Sequence, residues 1–322
     1  MFVILGGSGF IGTNLRIRLA ELNIPFKVVS RNPAALRKTQ AAHVGIVSLA
    51  EFEGSEGAKL IQEASVILYL ASASVPSTFA EEPWRDVDEN VSLAARIFWR
   101  IARLNPLAKI VFLSSGGTIY GDRPAQLTSE QAPTEPKSGY GLGKLLIEEA
   151  LRFTGRVTGL PYAILRVSNP VGPHQVNKAQ GIVSLAIRAA LDGSTIRLFD
   201  EGRQVRDYIH VRDVVESILA AHTTKISQGT WNIGSGTGLT TAEMLKMIES
   251  VTGREIRIEF LPKRPLDVSY IVLDVSRAHV DLNWSPARPI RAAVEDVYRS
   301  LVPLTTAGVS HGSESLEGAM WG

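Results

Sequence analysis

The sequence predicts an α/β fold: a doubly wound parallel sheet carrying a smaller C-terminal α/β lobe. Two observations point to it. In the first half, short apolar runs alternate with longer stretches of helical periodicity, the pattern of a parallel sheet with helices on both faces. A glycine-rich segment, Gly6-Gly7-Ser8-Gly9-Phe10-Ile11-Gly12, stands between the first apolar run and the first helical stretch. At 322 residues the chain is longer than one small core requires, so two domains, or one large domain with a lobe, are expected.

Phe2 to Leu5 is continuously apolar, as a parallel strand buried on both faces must be, and Phe10 to Leu22 follows as a helix. Phe26 to Ser30 reads as a second strand. Val66 to Ala71 is another, followed by a helical pattern from about Val87 to Leu104. Ile110 to Ser114 is strand-like, Gly143 to about Thr158 helical, and Tyr162 to Val167 strand-like again. In the second half Gly and Pro are more frequent and the elements less regular. A helix is expected over Gln180 to Asp192, a short strand at Ile196 to Phe199, a helix from Thr240 to Thr252 with a threonine cap, and an alternating strand at Ile256 to Leu261. The chain shows no internal repeat. From about Thr305 the tail is rich in Gly, Ser and Glu and is expected to be mobile.

Composition narrows the function classes. Hydrophobic residues at 45% and charged residues at 20% are those of an ordinary globular protein. No run approaches the ~18 uncharged apolar residues of a membrane span, so no membrane association is expected. Met1 to Leu5 runs straight into the glycine turn with no basic region or cleavage site, so no signal peptide is expected. Cysteine is absent, which excludes disulfides and thiolate metal sites and fits the cytoplasm. With a net charge of +2 and scattered Lys and Arg, a nucleic-acid surface is not indicated; a few arginines can instead serve a phosphorylated small molecule.

The glycine segment satisfies both G-x-x-G-x-x-G, from Gly6, and G-x-G-x-x-G, from Gly7. Placed between a first strand and a helix, it reads as the phosphate turn of a Rossmann-type dinucleotide domain. The first glycines allow a tight turn, Gly9 lets the backbone approach a pyrophosphate, and Gly12 lets helix and strand pack closely. Helix-start amides from Phe10 and Ile11 then face the phosphates. The cofactor is NAD or NADP. An acid normally ends the second strand and takes the NAD ribose hydroxyl, but Val29-Ser30-Arg31-Asn32 stand there. The Arg31 guanidinium suits a 2′-phosphate, which favours NADP; alternatively Arg31 is a surface residue or stacks on adenine.

Tyr140-Gly141-Leu142-Gly143-Lys144 opens a predicted helix, and positions four apart share one face. A free phenol, with a pKa near ~10, is a poor base at neutral pH. A nearby ammonium and an oxidised nicotinamide both favour the phenolate, which can take a proton from an alcohol as hydride leaves the carbon. Lys144 can also hold the nicotinamide ribose. Upstream, Leu113-Ser114-Ser115-Gly116-Gly117-Thr118-Ile119-Tyr120-Gly121 places hydroxyls at the carboxyl end of a strand, where ligands bind in such sheets. Ser115 and Thr118 are the candidates to bond the reacting oxygen.

These residues together resemble the extended short-chain dehydrogenase/reductase family, in its branch of NAD-dependent nucleotide-sugar epimerases and dehydratases of the UDP-glucose 4-epimerase type. The resemblance runs from Phe2 to about Leu301. It adds Leu70-Ala71 after the fourth strand and Asn90 on the next helix as cofactor contacts, beside the glycine turn and Tyr140 with Lys144. It implies Asn169 in Leu165-Arg166-Val167-Ser168-Asn169-Pro170-Val171-Gly172-Pro173, and Arg206 in Arg206-Asp207-Tyr208-Ile209-His210-Val211-Arg212-Asp213-Val214, as contacts to a diphosphate. Arg264 and Asp267 match an R-x-x-D pattern for phosphate and ribose, and Phe199 falls at the uracil pocket. The chemistry agrees, since guanidinium groups suit pyrophosphate and an Asn amide donates to phosphoryl oxygen. A structural ion pair of Arg206 with Asp207 or Asp213 is the alternative. His210 is read as structural, with no metal spacing around it, and no metal is expected.

On this resemblance residues 1–168 form the dinucleotide-binding domain, with segments around 200–235 returning to it, and 169–304 mainly the nucleotide-sugar lobe. The sequence departs from the family pattern in four places. Gly116 stands where the catalytic Ser or Thr usually is, four before Tyr120. Ser74 replaces a lysine of some members, Arg166-Val167-Ser168 occupy the place of a frequent tyrosine, and the second-strand acid is missing.

Three functions are then open. The leading one is a nucleotide-sugar 4-epimerase of the UDP-hexose or UDP-N-acetylhexosamine type, in which Tyr140 takes the 4-hydroxyl proton, C4 gives up hydride, and the 4-keto sugar turns over before hydride returns. The second is an NADPH-dependent nucleotide-4-keto-sugar reductase, and the third a non-catalytic nucleotide-binding protein on the same fold. A 4,6-dehydratase is disfavoured because Gly117-Thr118 occupy the place of its Asp-Glu acid–base pair. The family commonly dimerises through two helices per subunit. Val87 to Leu104 and Gly143 to Thr158 are the candidates, with Leu93, Ile97, Ile101 and Leu146, Ala150, Phe153 at helical spacing.

Overall fold

The computed structural model describes residues 1–38, 45–72, 82, 84–123, 126–175, 181–264 and 267–306. Ser74 and most of the Gly/Ser/Glu tail lie outside them. The chain runs β1 (Phe2–Leu5), α1 (Phe10–Glu21), β2 (Phe26–Ser30), α2 (Pro33–Lys38), β3 (Gly45–Ser48), α3 (Leu49–Glu53), α4 (Ser55–Glu63) and β4 (Val66–Tyr69). A short turn of helix, α5 (Trp84–Asp86), and one wide turn (Val87–Val91) lead into α6 (Ser92–Leu104) and β5 (Lys109–Ser115). Then come α7 (Gly139–Thr158), β6 (Tyr162–Val167), β7 (Asn169–Val171), α8 (Ile182–Asp192), β8 (Thr195–Phe199), β9 (Val205–His210), α9 (Val211–Thr223) and β10 (Gln228–Ile233). The last elements are β11 (Gly238–Thr240), α10 (Thr241–Thr252), β12 (Arg257–Leu261), β13 (Tyr270–Ile271), α11 (Ser276–Leu282) and α12 (Ile290–Thr306).

Seven strands form one parallel sheet in the order β3-β2-β1-β4-β5-β6-β10. The Rossmann-type architecture read from the sequence is therefore the one observed. The central strands β1 and β4 are fully buried runs of apolar and aromatic residues because both of their faces are covered. Leu15 and Leu19 of α1 and Val214, Val215 and Ile218 of α9 pack on one face. Leu60 and Ile61 of α4, Ile97, Phe98 and Ile101 of α6, and Ile147 and Leu151 of α7 pack on the other. Chain order reverses between β1 and β4, which opens a crevice at their carboxyl ends.

A second lobe has its own core, built by α8, β8, α10 and α12 around residues such as Ile187, Leu198, Met244, Ile248 and Val294. In it β9 pairs with β7, β11 and β13, and β8 with β12. The Thr240 cap is present, with a reciprocal bond between Thr240 and Glu243. Among the described residues no helix is long and apolar enough to cross a membrane.

Two expectations change. Helix α7 begins at Gly139, four residues before Gly143, because the Ser138 hydroxyl accepts from the Gly141 amide at 3.1 Å. The glycines at 139, 141 and 143 are poor helix formers and hide that start. The stripe Leu93, Ile97, Ile101 faces inward, with Ile97 and Ile101 in the core and Leu93 packed against it. It covers the sheet and is not an outward face.

Arg166, on β6, is buried and makes a bidentate contact with the fully buried Glu148 of α7 at 2.8–3.2 Å. Arg152 reaches the same carboxylate at 2.7 Å. Arg166→Met leaves the buried Glu148 bonded by Arg152 without its bidentate partner and is expected to cost about 3 kcal/mol in urea unfolding. The double variant Arg166→Met/Glu148→Leu should regain part of that loss.

Candidate active site

The dinucleotide end is set by the switch between β1 and β4. The Gly6 amide donates to the Val29 carbonyl at 3.2 Å, and the Leu70 amide to the Leu5 carbonyl at 2.9 Å. Gly6 has φ +85°, and a Cβ there would lie 2.6 Å from the Ala71 amide nitrogen. Only glycine meets both conditions. A Cβ on Gly12 would lie 2.7 Å from the Gly7 Cα, so helix and turn are in direct contact. Helix α1 starts at Gly9 with no side-chain cap and no acid in its first turn. Its leading amides are therefore left to an anion, which is what a pyrophosphate requires.

Two adjoining cavities run from this turn. One, of about 560 Å³, is lined by Gly6, Gly9, Arg31, Leu70, Ala71 and Asn90, among others. The other, of about 700 Å³, is bounded by Gly6, Gly9, Phe10, Ile11, Gly12 and Leu70 and continues to Ser115, Thr118, Tyr140, Lys144, Asn169, Phe199, Arg206 and Arg264. The first fits an adenosine and the second a nicotinamide with a substrate beyond it. At the end of β2 the first cavity meets Ser30, Arg31 and Asn32. Arg31 donates to the Ser72 carbonyl at 3.2 Å.

Tyr140 and Lys144 lie one turn apart on α7. The Lys144 ammonium is buried, donates to the Leu113 carbonyl at 3.1 Å, and lies 5.6 Å from the centre of the Tyr140 ring. Burial holds its pKa down at about 8, while Asp86 and Glu148 pull it upward. The Tyr140 phenol is pushed up to about 12, by burial first and by Asp86 second, with a hydrogen bond from Ser115 working against both. The chain alone therefore keeps Tyr140 as a phenol. The positive charge of an oxidised nicotinamide is what remains to favour the phenolate.

The hydroxyl missing at Gly116 has a structural reason. A Cβ there would lie 2.6 Å from Leu273 Cδ1 and 2.9 Å from the Arg166 carbonyl oxygen. The neighbouring Ser115 hydroxyl lies close enough to Tyr140 to oppose the rise of its pKa. Thr118 Oγ1 and Ser114 Oγ are buried and have no hydrogen-bond partner among the described residues, and both residues line the cleft. Tyr120, by contrast, is buried away from it and bonds Asn232 at 2.7 Å and Arg166 at 2.9 Å.

At the far end Arg206 makes no ion pair with Asp207 or Asp213. Asp207 accepts from the Ser235 amide and hydroxyl and from the Gly236 and Leu273 amides. Asp213 is held by Arg288 and its neighbours. The Arg206 guanidinium bonds the Val205 carbonyl and faces the cleft, its pKa lowered by burial. Asn169 donates to the Asp207 carbonyl at 3.0 Å. Arg264 stacks on Phe199, 4.1 Å from the ring centre. Asp267 lies behind this wall, bonding Arg264 at 2.9 Å and Gln204 at 3.3 Å, and is not itself among the lining residues. His210 accepts from the Arg212 amide and so caps α9, with Asp296 on its other nitrogen.

Arg197, Gln204, Tyr208 and Thr241 also line the cleft and were not picked out from the sequence. Arg197 had a signal: it is two residues before Phe199 on β8 and so shares its face. Tyr208 had the same signal, two residues after Arg206 on β9, whereas Gln204 and Thr241 reach the site through the lobe's packing.

The sequence profile of the NAD dependent epimerase/dehydratase family matches residues 2–234. The chain belongs to this family. It is 30% identical over 293 residues to a UDP-glucose 4-epimerase of Mycolicibacterium smegmatis, covering 88% of this chain and 93% of that one. It is 27% identical over 308 residues to a dTDP-4-dehydro-6-deoxyglucose reductase of Escherichia coli, covering 93% and 96%. The structure of the Thermotoga maritima UDP-glucose 4-epimerase with UDP-glucose superposes with a TM-score of 0.84 at 27% identity, covering 94% of this chain and 99% of that chain. The chain is thus an NAD-dependent enzyme of the extended short-chain dehydrogenase/reductase type, and the reading as a non-catalytic binding protein falls away.

Tyr140→Phe is expected to leave NAD affinity within a few-fold and to lower kcat by about 10²–10⁴-fold, as loss of a proton-transfer group does. Ser115→Ala should cost more than Thr118→Ala, because the Ser115 hydroxyl acts on the phenol's pKa and Thr118 does not. Isothermal titration with NAD, followed by steady-state kinetics, checks both.

Proposed function

We propose that this enzyme is a nucleotide-sugar 4-epimerase acting on a UDP-linked hexose or N-acetylhexosamine through a 4-keto intermediate. The observation that carries the reading is the continuity of one cleft. Tyr140, Lys144 and Ser115 stand at one end, and Asn169, Arg206, Arg264 and Phe199 at the other. A guanidinium pair with an amide suits a diphosphate, and an aromatic face suits a base. The UDP-sugar enzymes among the relatives support the same reading.

The bound nicotinamide supplies reversible hydride acceptance at the sugar carbon. The chain does the rest. The glycine turn and α1 amides hold the pyrophosphate, and Arg206 with Asn169 holds the substrate diphosphate. Tyr140 moves the hydroxyl proton, Ser115 bonds the phenol, and Thr118 offers a buried hydroxyl to the substrate oxygen. An anchored diphosphate leaves the sugar as the part free to turn. A cytoplasmic setting fits the cysteine-free chain.

A second reading, an NADPH-dependent nucleotide-4-keto-sugar reductase, is favoured by one feature. The end of β2 offers Ser30, Arg31 and Asn32 and no acid, and the Escherichia coli relative is a 4-keto-sugar reductase by name. The two separate cleanly. An epimerase interconverts UDP-glucose, UDP-N-acetylglucosamine or their uronates with their 4-epimers, followed by NMR without added cofactor. A reductase leaves all of them unchanged and consumes NADPH with a nucleotide-4-keto-6-deoxy sugar.

We further propose a homodimer through the outer faces of α6 and α7. Trp99 stacks on Phe153 at 6.4 Å there, and both remain exposed, as does Val157 on the same helix as Phe153. Light scattering should give twice the 34.9 kDa chain mass, and Trp99→Glu/Phe153→Glu should give the monomer.

A further inference from the structure

Asp86 is 2% exposed, yet it belongs to none of the functional segments read from the sequence. It ends α5, immediately before the wide turn that carries Asn90, and the Asn90 side-chain amide donates to its Oδ1. Its carboxylate rests on α7. A Cβ added to Gly143 would lie 2.5 Å from Asp86 Oδ2 and 2.7 Å from its carboxyl carbon. Gly143 is the residue before Lys144 and three after Tyr140, so a carboxylate packed on it lies one helical turn from Tyr140 and next to Lys144 in the chain. This accounts for a glycine in the middle of a helix, where it costs about 1 kcal/mol relative to alanine. Here any side chain would displace the carboxylate.

We propose that Asp86 is a positioning residue of the Tyr140–Lys144 pair, its buried carboxylate holding Lys144 in the charged form. The proposal rests on Tyr140 and Lys144 being the reacting pair, as in the function proposed above. The surrounding charges leave Asp86 this role. On α7, Glu148 also favours the Lys144 ammonium, but its own charge is answered by Arg166 and Arg152. On the segment that carries Asp86, Arg85 pairs outward with Glu82 and Glu89. The effect on each partner follows by sign. A carboxylate beside an ammonium raises its pKa, and Lys144, pulled down to about 8 by burial, would fall further without it. The same carboxylate disfavours phenolate at Tyr140. Asp86 thus keeps both protons on the pair until a cationic nicotinamide enters.

The test is a pH titration of Lys144 by NMR in protein carrying ¹³C-labelled lysine and saturated with NAD. The resonance is assigned by its loss in Lys144→Met. Asp86→Asn keeps the shape and removes the charge. It should move the Lys144 midpoint down by about one pH unit, a tenfold loss of proton affinity. In turnover, the alkaline limb of kcat/KM should move down with it, which a purely structural lesion would not do. An unmoved midpoint in folded Asp86→Asn overturns the proposal. Should that variant not fold, Gly143→Ala carries the comparison, since its methyl displaces the carboxylate. A downward shift there supports the proposal and an unmoved midpoint overturns it. The titration needs no substrate, so a wild-type enzyme inactive on every nucleotide sugar defeats the proposed function while the titration still decides the role of Asp86.

Discussion

The buried ion pair between Arg166 and Glu148 ties the reacting helix to the sheet. Tyr140, Lys144 and Glu148 follow one another at intervals of four and so form one stripe along α7. Glu148 is clamped by a guanidinium from β6, and Lys144 by a carbonyl at the end of β5. The helix can neither rotate nor slide without breaking buried charge-assisted bonds. Tyr140, one turn nearer the cleft, takes its position from those two contacts. Desolvating such a pair is costly, and the return is a fixed register more than stability.

The same burial that fixes the pair also sets its protonation. A dry site disfavours both the phenolate and the ammonium, so Tyr140 rises and Lys144 falls relative to free side chains. The nearby ammonium is not enough to make Tyr140 a base. Three outside charges bear on the balance: Asp86, Glu148 and the cofactor's own positive ring. A positive nicotinamide ring beside Tyr140 would shift that balance toward the phenolate.

The two ends of the cleft are built on different principles. The dinucleotide end uses backbone: strand ends crossing over, glycines without side chains, and uncapped amides. The far end uses side chains, among them Arg206, Asn169 and Arg264 stacked on Phe199. Arg206 reaches the cleft because Asp207 is turned inward to the amides of Ser235, Gly236 and Leu273. Two adjacent, oppositely charged residues thus point to opposite sides of β9, as alternation along a strand requires. Leu273, held by that same Asp207, fills the space where Gly116 lacks a side chain.

The sequence by itself determined the parallel sheet, the phosphate turn and the Tyr140–Lys144 pair. Each depends on neighbours in the chain: apolar runs of strand length, glycines at fixed spacing, and two residues one helical turn apart. Arg206, Asn169, Phe199 and Arg264 were legible only through resemblance, since nothing local marks them as partners. Tertiary structure alone decided that position 116 has no room for a side chain, because the obstacle, Leu273, is more than 150 residues away. It decided that Asp267 stands behind Arg264 and that the Ile97–Ile101 stripe faces the sheet. It also brought Asp86 onto Gly143, a contact across more than fifty residues with no periodicity to announce it. Local spacing encodes elements and turns; which charges meet in the dry interior depends on how those elements pack.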